Sequence, residues 1–345
     1  MKPFVIAEIG VNHNGSISKA IELINAAKES GASAVKFQTF SASRLASSLT
    51  PKVSYQKKYD LNRTHFEMLK SLELSFDDQE KLSLYCKSND VEFLSTPYST
   101  EDAIFLQNLG VDKFKIASAD IVDLELIKLI SSFGKTTLIS TGMANMAEVK
   151  NAVGLFDKNR SNLILMHTTS EYPTSTINTN ILRINTLRKL NPNGVGFSDH
   201  TLDSTGAIMS VALGCEYFEK HFTLSRADLG PDHATSVEPN EFKKYVNDIN
   251  QASLALGNSN FSRTIFEEEM AMTSRKSLHF SRSLSKGHIL TRDDFIFIRP
   301  GSGLGWENLV KFLGRNLTSN VEKGDLVDFK VIETSNVNKE NLKYN

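Results

Sequence analysis

Short apolar runs and amphipathic segments alternate along most of this chain. Phe4–Ile9 is apolar and rich in β-formers, interrupted by Glu8. Ser16 then caps a predicted helix whose apolar residues Ala20, Leu23, Ile24 and Ala27 recur at helical spacing, and Gly31 stops it. Ala34–Phe40 reads as the second strand. Ser41–Arg63 is long, polar and unpatterned, which in a compact domain suggests a lid or binding loop; Tyr55 and Gln56 are either lid contacts or loop packing. Helical patterns over Thr64–Leu72 and Asp77–Ser88 lead to a strand at Glu92–Thr96 and a helix at Thr100–Leu109.

The alternation continues as strand Lys113–Ser118, helix Leu124–Ser132, strand Thr136–Ser140 and helix Met146–Phe156. Strand Asn162–His167 and helix Asn180–Leu190 follow. Strands Gly194–Phe197 and Glu216–Phe222 enclose a helix at Leu202–Gly214, and a long helix, Glu238–Leu256, closes the set. About eight strand–helix repeats over roughly 255 residues predict an α/β fold, a (β/α)8 TIM barrel. A doubly wound open sheet is the competitor, but the chain shows no glycine-rich dinucleotide fingerprint. Asn258–Ser274 lacks apolar periodicity and reads as a linker, whereas Leu278–Glu333 has short strand-like pieces and turns at KGH and RPGSGLG. The expected organisation is a barrel over residues 1–257, a linker over 258–276, a small second domain over 277–335 and a polar tail over 336–345.

Composition narrows the class of function. The chain has 345 residues and a net charge of -1, which removes the electrostatic reason to expect nucleic acid or an anionic membrane as partner. Cys86 falls inside a predicted helix and Cys215 directly before a predicted strand, consistent with a reduced compartment. The apolar run after Met1 is too short for a signal-peptide core and no run could span a bilayer, so a cytoplasmic location is expected.

In such a barrel, chemistry belongs at the C-terminal ends of the strands. Those ends carry Glu8, Lys36 and Gln38, Thr96, Lys115 with Ser118 and Asp120, Ser140, His167 followed by Tyr172, Ser198 with His200, and finally Glu219 and His221. Two lysines among hydroxyls and small turn residues suit a phosphate. His200 and His221, at adjacent strand ends, suit a metal acting as a Lewis acid on a carbonyl. Glu8, Asp120 and Asp232 could be acid, base or hydroxyl ligands. Glu219 is better read as an ion-pair partner or orienting group, and His13 and His167 as hydrogen-bonded structural histidines.

The motifs AEIGVNHNGS, VKFQTF, FLSTPY, KIASAD, STGMA, HTTSEYPT, GFSDHT, EKHFTL, GPDHATSVEP, SRKSL and RPGSGLG run from Ala7 to Gly305. In that order they resemble the sialic acid synthase family, whose members condense phosphoenolpyruvate (PEP) with an N-acylated hexosamine. The resemblance implies that the small domain is an antifreeze-like (SAF) domain. It implies PEP contacts at Lys36, Thr96, Lys115, Ser118, Ser140, Ser170 and Ser198, and a metal, Mn2+ or Mg2+, at His200 and His221. Sugar contacts fall on Gln38, Tyr172 and Asp232. Arg299 is expected to reach the sugar in the partner of a domain-swapped homodimer. Glu8 matches a glutamate that helps hold the sugar and the metal-site water. Where family members carry KIGSGE or KIPSGE this chain has KIASAD, so Asp120 stands for the catalytic glutamate, one methylene shorter. The expected activity is N-acetylneuraminate synthesis from PEP and N-acetylmannosamine with release of phosphate. The alternative is N,N'-diacetyllegionaminic acid synthesis from a 2,4-diacetamido-trideoxyhexose. A non-catalytic sugar-binding protein on the same scaffold is the reading of another class.

Overall fold

The computed structural model describes residues 2–52, 63–156 and 162–333. Tyr55, Gln56 and the tail 336–345 lie outside the described residues. The chain forms two compact units, Met1–Gly257 and Asn258–Asn345.

The first unit is the (β/α)8 barrel. Its strands are β1 (Phe4–Gly10), β2 (Ala34–Thr39), β3 (Glu92–Pro97), β4 (Lys113–Ile116), β5 (Thr136–Ser140), β6 (Leu163–His167), β7 (Val195–Asp199) and β8 (Tyr217–His221). They pair in parallel in the order β3-β2-β1-β8-β7-β6-β5-β4, and β3 lies against β4 to close the ring. Side-chain alternation sorts each strand into two faces. Val5, Ala7 and Ile9, with Phe37, Phe114, Ile139, Leu165 and Phe218, turn outward into the helical layer. Ile6, Ala34, Leu94, Leu138, Ile164 and Met166 form an apolar plug in a separate cluster. One step further along the same faces come Glu8, Lys36, Thr96 and Ser140, so the barrel interior changes from apolar to polar toward the strand C-termini.

Local signals set the helix ends. Ser16 accepts from the Lys19 N–H to start α1 (Ile17–Glu29), and Thr64 with Glu67 forms a reciprocal cap on a helix at His65–Leu72. Asn145 with Glu148 does the same for Met146–Gly154. Several elements are shorter than the pattern suggests. The fourth strand stops at Ile116, and Ser118–Val122 is a 3-10 turn that lifts Ser118 and Asp120 off the strand. The helix after β6 starts at Arg183, and that after β7 spans Thr205–Ala212.

The second unit has an antiparallel pair, β9 (Ser277–Phe280) and β10 (Phe295–Ile298). It is tied by isolated bridges around a core of Leu278, Phe280, Leu290, Phe295, Phe312 and Leu317. The stretch read as a linker is not structureless. Ile265–Ser274 is a helix, opened by a reciprocal cap between Thr264 and Glu267. None of its residues is buried, which explains why its apolar positions trace no amphipathic stripe. Among the described residues no helix is long and apolar enough to cross a membrane.

Candidate active site

The polar layer at the top of the barrel is an electrostatic network. Register sets Glu8 beside Lys36 on one side and beside His221 on the other, and Ser198 beside Glu219. The Lys36 ammonium lies 2.6 Å from the Glu8 carboxylate and donates to Thr96 Oγ1 at 3.0 Å. Glu219 Oε1 sits 3.9 Å from Lys36 Nζ and 3.7 Å from Lys115 Nζ, and accepts from Ser198 Oγ at 3.2 Å. Burial opposes ionisation of Glu219, but Lys115, Lys36 and the two histidines outweigh it and hold the carboxyl down at about 2. Burial pushes Glu8 the other way, up to about 7, with Lys36 pulling against it. Burial also lowers Lys115, whose ammonium otherwise donates only a long bond, 3.4 Å, to the Ile116 carbonyl. Two cations are thus packed with carboxylates in a dry layer, an arrangement suited to an incoming anion.

Hydroxyls complete one side of the layer. A methyl group at Gly142 would lie 2.3 Å from Ser170 Oγ and 2.8 Å from Ser118 Oγ, which puts both hydroxyls directly over this glycine. The Gly142 N–H donates to Ser118 Oγ at 3.1 Å. The hydroxyls of Ser140, Thr168 and Ser170 are buried with no hydrogen-bond partner among the described residues. Buried hydroxyls without protein partners are positions for ordered water, an ion or a ligand.

The histidines occupy the neighbouring strand ends. The His200 and His221 ring centres are 5.5 Å apart, and Tyr172 stacks on His200 at 4.1 Å while meeting His221 edge-on at 5.8 Å. His200 Nδ1–H donates to the Thr169 carbonyl at 2.8 Å, which leaves its Nε2 lone pair available. Burial holds His200 down to about 4 and His221 to about 3, so both rings are neutral at physiological pH, the form that ligates a metal. His221 Nδ1 and Glu219 Oε2 are buried without hydrogen-bond partners among the described residues. Among the described residues no three His, Cys, Asp or Glu side chains are grouped to hold a metal ion. As neutral imidazoles, His200 and His221 are the residues that would hold a divalent ion here.

Gln38, Glu8 and Asp232 converge over Gly10, where an added methyl group would lie 3.3 Å, 3.2 Å and 3.6 Å from their respective terminal atoms. Gln38 Nε2 donates to Glu8 Oε1 at 3.2 Å. Burial raises Asp232 to about 6 against the pull of Lys36. The loop bearing Asp232 is fastened by Asn12, which donates to the Phe222 carbonyl and to Ser236 Oγ, both at 2.9 Å. Asp120 is raised to about 6, by burial first and by Asp123 second, with Lys115 opposing. Its Oδ2 is buried with no hydrogen-bond partner among the described residues.

The structure thus brings Glu8, Lys36, Gln38, Thr96, Lys115, Asp120, Ser140, Ser198, His200 and His221 to the strand C-termini, with Ser118 and Ser170 over Gly142. Tyr172 lies on the histidines and Asp232 beside Glu8. Arg299 belongs to the second unit, where it is exposed at the end of β10. His13 and His167 are hydrogen-bonded within the fold, to Gly15 N–H at 3.0 Å and to the Thr179 carbonyl at 2.7 Å. Two further polar residues at strand ends, given no ligand role from the sequence, join the layer. Thr168 follows the sixth strand. Tyr98 has its hydroxyl raised well above its ordinary range by burial, with Asp120, Glu8, Tyr172 and Asp232 all adding to the shift, so it belongs among them. The STPY motif contained the second signal.

A closed barrel with this lysine–histidine layer at its strand C-termini defines a class of barrel enzymes. The chain belongs to the NeuB family, whose model matches residues 23–261, and the SAF domain model matches residues 275–333. Two relatives are named N,N'-diacetyllegionaminic acid synthase. That of Legionella pneumophila is 38% identical over 339 residues, covering 96% of this chain and 95% of its own length. That of Campylobacter jejuni is 36% identical over 330 residues, covering 94% and 99%. A crystal structure of N-acetylneuraminic acid (sialic acid) synthetase from Leptospira borgpetersenii superposes with a TM-score of 0.69 at 29% identity, covering 78% of this chain and 90% of that one.

Proposed function

We propose that this protein condenses PEP with an N-acylated amino-sugar aldehyde, and that its preferred acceptor is a 2,4-diacetamido-trideoxyhexose rather than N-acetylmannosamine. The observation that carries the condensation is the polar layer itself. It places two buried ammonium groups and unpartnered hydroxyls beside two neutral imidazoles. The relatives favour the diacetamido sugar, since both synthases at 38% and 36% identity carry the legionaminic name whereas the sialic acid synthetase stands at 29%.

In this reading Lys36 and Lys115 neutralise the phosphate and carboxylate of PEP. Ser118, Ser140, Ser170 and Ser198, joined by Thr168, bind its oxygens. Thr96 holds Lys36 in place. Gln38, Tyr172 and Asp232 hold the sugar so that its aldehyde carbon faces C3 of PEP. Mn2+ or Mg2+ held by His200 and His221 would supply Lewis-acid polarisation of the aldehyde oxygen. C3 attacks the aldehyde carbon, water adds at C2, and phosphate leaves by cleavage of the C–O bond. Asp120 takes the proton from that water, with Glu8 beside the sugar as the second proton carrier. The resemblance assigns Arg299 to the sugar in a partner subunit. PEP labelled with 18O in the bridging position tests the chemistry. Label recovered wholly in phosphate supports C–O cleavage, and label left in the sugar acid overturns it.

A further inference from the structure

Lys220 is a lysine on the wrong face for the chemistry just described. Its neighbours Glu219 and His221 point into the barrel, so alternation turns Lys220 outward, toward the helical layer where Phe218 and Phe222 are fully buried. It is only 2% exposed. Its ammonium lies 2.9 Å from the Asp199 carboxylate, donates to the Thr201 carbonyl at 2.6 Å and the Asp203 carbonyl at 3.0 Å, and sits 4.8 Å from the Tyr245 ring centre. Asp199 uses its other oxygen to accept the Thr201 N–H at 2.8 Å, and Thr201 Oγ1 donates to the Asp203 carbonyl at 3.1 Å. These acceptors flank His200 on both sides in the chain.

Burying an ammonium here is costly, and an apolar residue would fill the space between sheet and helix at lower cost. What the ammonium adds is geometry: it draws three acceptors to one point and fixes the loop from which His200 projects. Two hydrogen bonds of His200, its Nδ1–H to Thr169 and its own carbonyl to the Thr174 N–H at 2.8 Å, together with Tyr172 stacked on its ring, tie it to the sixth-strand loop. Lys220 ties it to the eighth strand, which carries His221. We propose that Lys220, acting through Asp199 and Thr201, is a positioning residue that fixes the separation of the two imidazoles and so sets the affinity for the divalent ion. This inference rests on the metal reading of His200 and His221.

The test is Mn2+ binding to the full-length, metal-stripped protein, followed by the EPR signal of free Mn2+. Wild type and His221→Ala are compared with Lys220→Met and Asp199→Asn, and inorganic phosphate binding is measured alongside. Outer-shell changes cost about 10–100-fold in metal affinity. Lys220→Met is expected to lose affinity in that range, and Asp199→Asn about tenfold, with phosphate affinity unchanged because Lys36 and Lys115 lie on the other face of the sheet. If Lys220→Met does not fold, Asp199→Asn, which removes the ion pair but keeps an acceptor for the Thr201 N–H, decides the matter. Wild-type Mn2+ affinity in the folded variants, with His221→Ala defective, overturns the positioning role alone. Equal binding by wild type and His221→Ala overturns the metal reading and this inference with it.

Discussion

Glu219→Gln is the sharpest test of how the barrel holds its cations. The carboxylate lies 3.7 Å from Lys115 and 3.9 Å from Lys36, and the side chains of all three are at most 5% exposed. After the substitution Lys36 keeps Glu8 at 2.6 Å, but Lys115 keeps only a 3.4 Å bond to a carbonyl. One buried cation is then uncompensated, and breaking such a pair costs about 3–5 kcal/mol. At about 2–4 °C per kcal/mol for a unit of this size, the barrel Tm falls by roughly 6–20 °C. An anion should reverse part of the loss, because phosphate or PEP supplies the missing negative charge; ligand at 100 times its Kd stabilises by about 2.7 kcal/mol. The assay is thermal unfolding by circular dichroism in a phosphate-free buffer, then with graded phosphate. Phosphate is expected to raise the Tm of the variant more than that of wild type. Burial already lowers Lys115 below its unfolded value, and loss of Glu219 lowers it further. The unfolded chain then binds more protons, so the deficit should shrink as pH rises toward 10.5. An unchanged Tm, or a fall that phosphate restores no better than in wild type, would refute the reasoning.

Other outcomes follow from the same geometry. With Asp120 raised to about 6 and acting as a base, turnover should rise with pH through that value as the carboxyl ionises. Asp120→Asn should lose this limb and about 10²–10⁴ in kcat; an unaltered pH profile would remove Asp120 from the chemistry. Gly142→Ala drives a methyl group into Ser170 and Ser118, so the KM for PEP should rise while that for the sugar stays nearly constant. Arg299→Ala should raise the KM for the sugar far more than that for PEP, and equal effects on both would contradict its assignment to the sugar.

Much of this site was legible because strand alternation is strict. Lys36 and Gln38, two residues apart, share a face and both reach Glu8. Glu219, read as an ion-pair partner or orienting group, pairs with both lysines and lies in the field of both histidines. Convergence was harder to read. Ser118 and Ser170 meet over Gly142 only because a 3-10 turn lifts the first off its strand, and nothing in a linear pattern marks that turn. Lys220 was passed over because its partners include backbone carbonyls, which every sequence contains and none displays. The helix Ile265–Ser274 is marked in the sequence only by its Thr264–Glu267 cap, because an exposed helix needs no apolar stripe. Preference between acceptor sugars came from the relatives, because the contacts predicted for the sugar serve either one.

The central claim is tested most directly by phosphate release from the purified protein with PEP and Mn2+. N-acetylmannosamine and 2,4-diacetamido-2,4,6-trideoxymannose would be compared side by side as acceptors. A higher kcat/KM for the diacetamido sugar, abolished in His221→Ala, is the predicted result. A higher kcat/KM for N-acetylmannosamine would contradict the proposed acceptor, and no phosphate release with either sugar from folded, Mn2+-loaded protein would contradict the condensation itself.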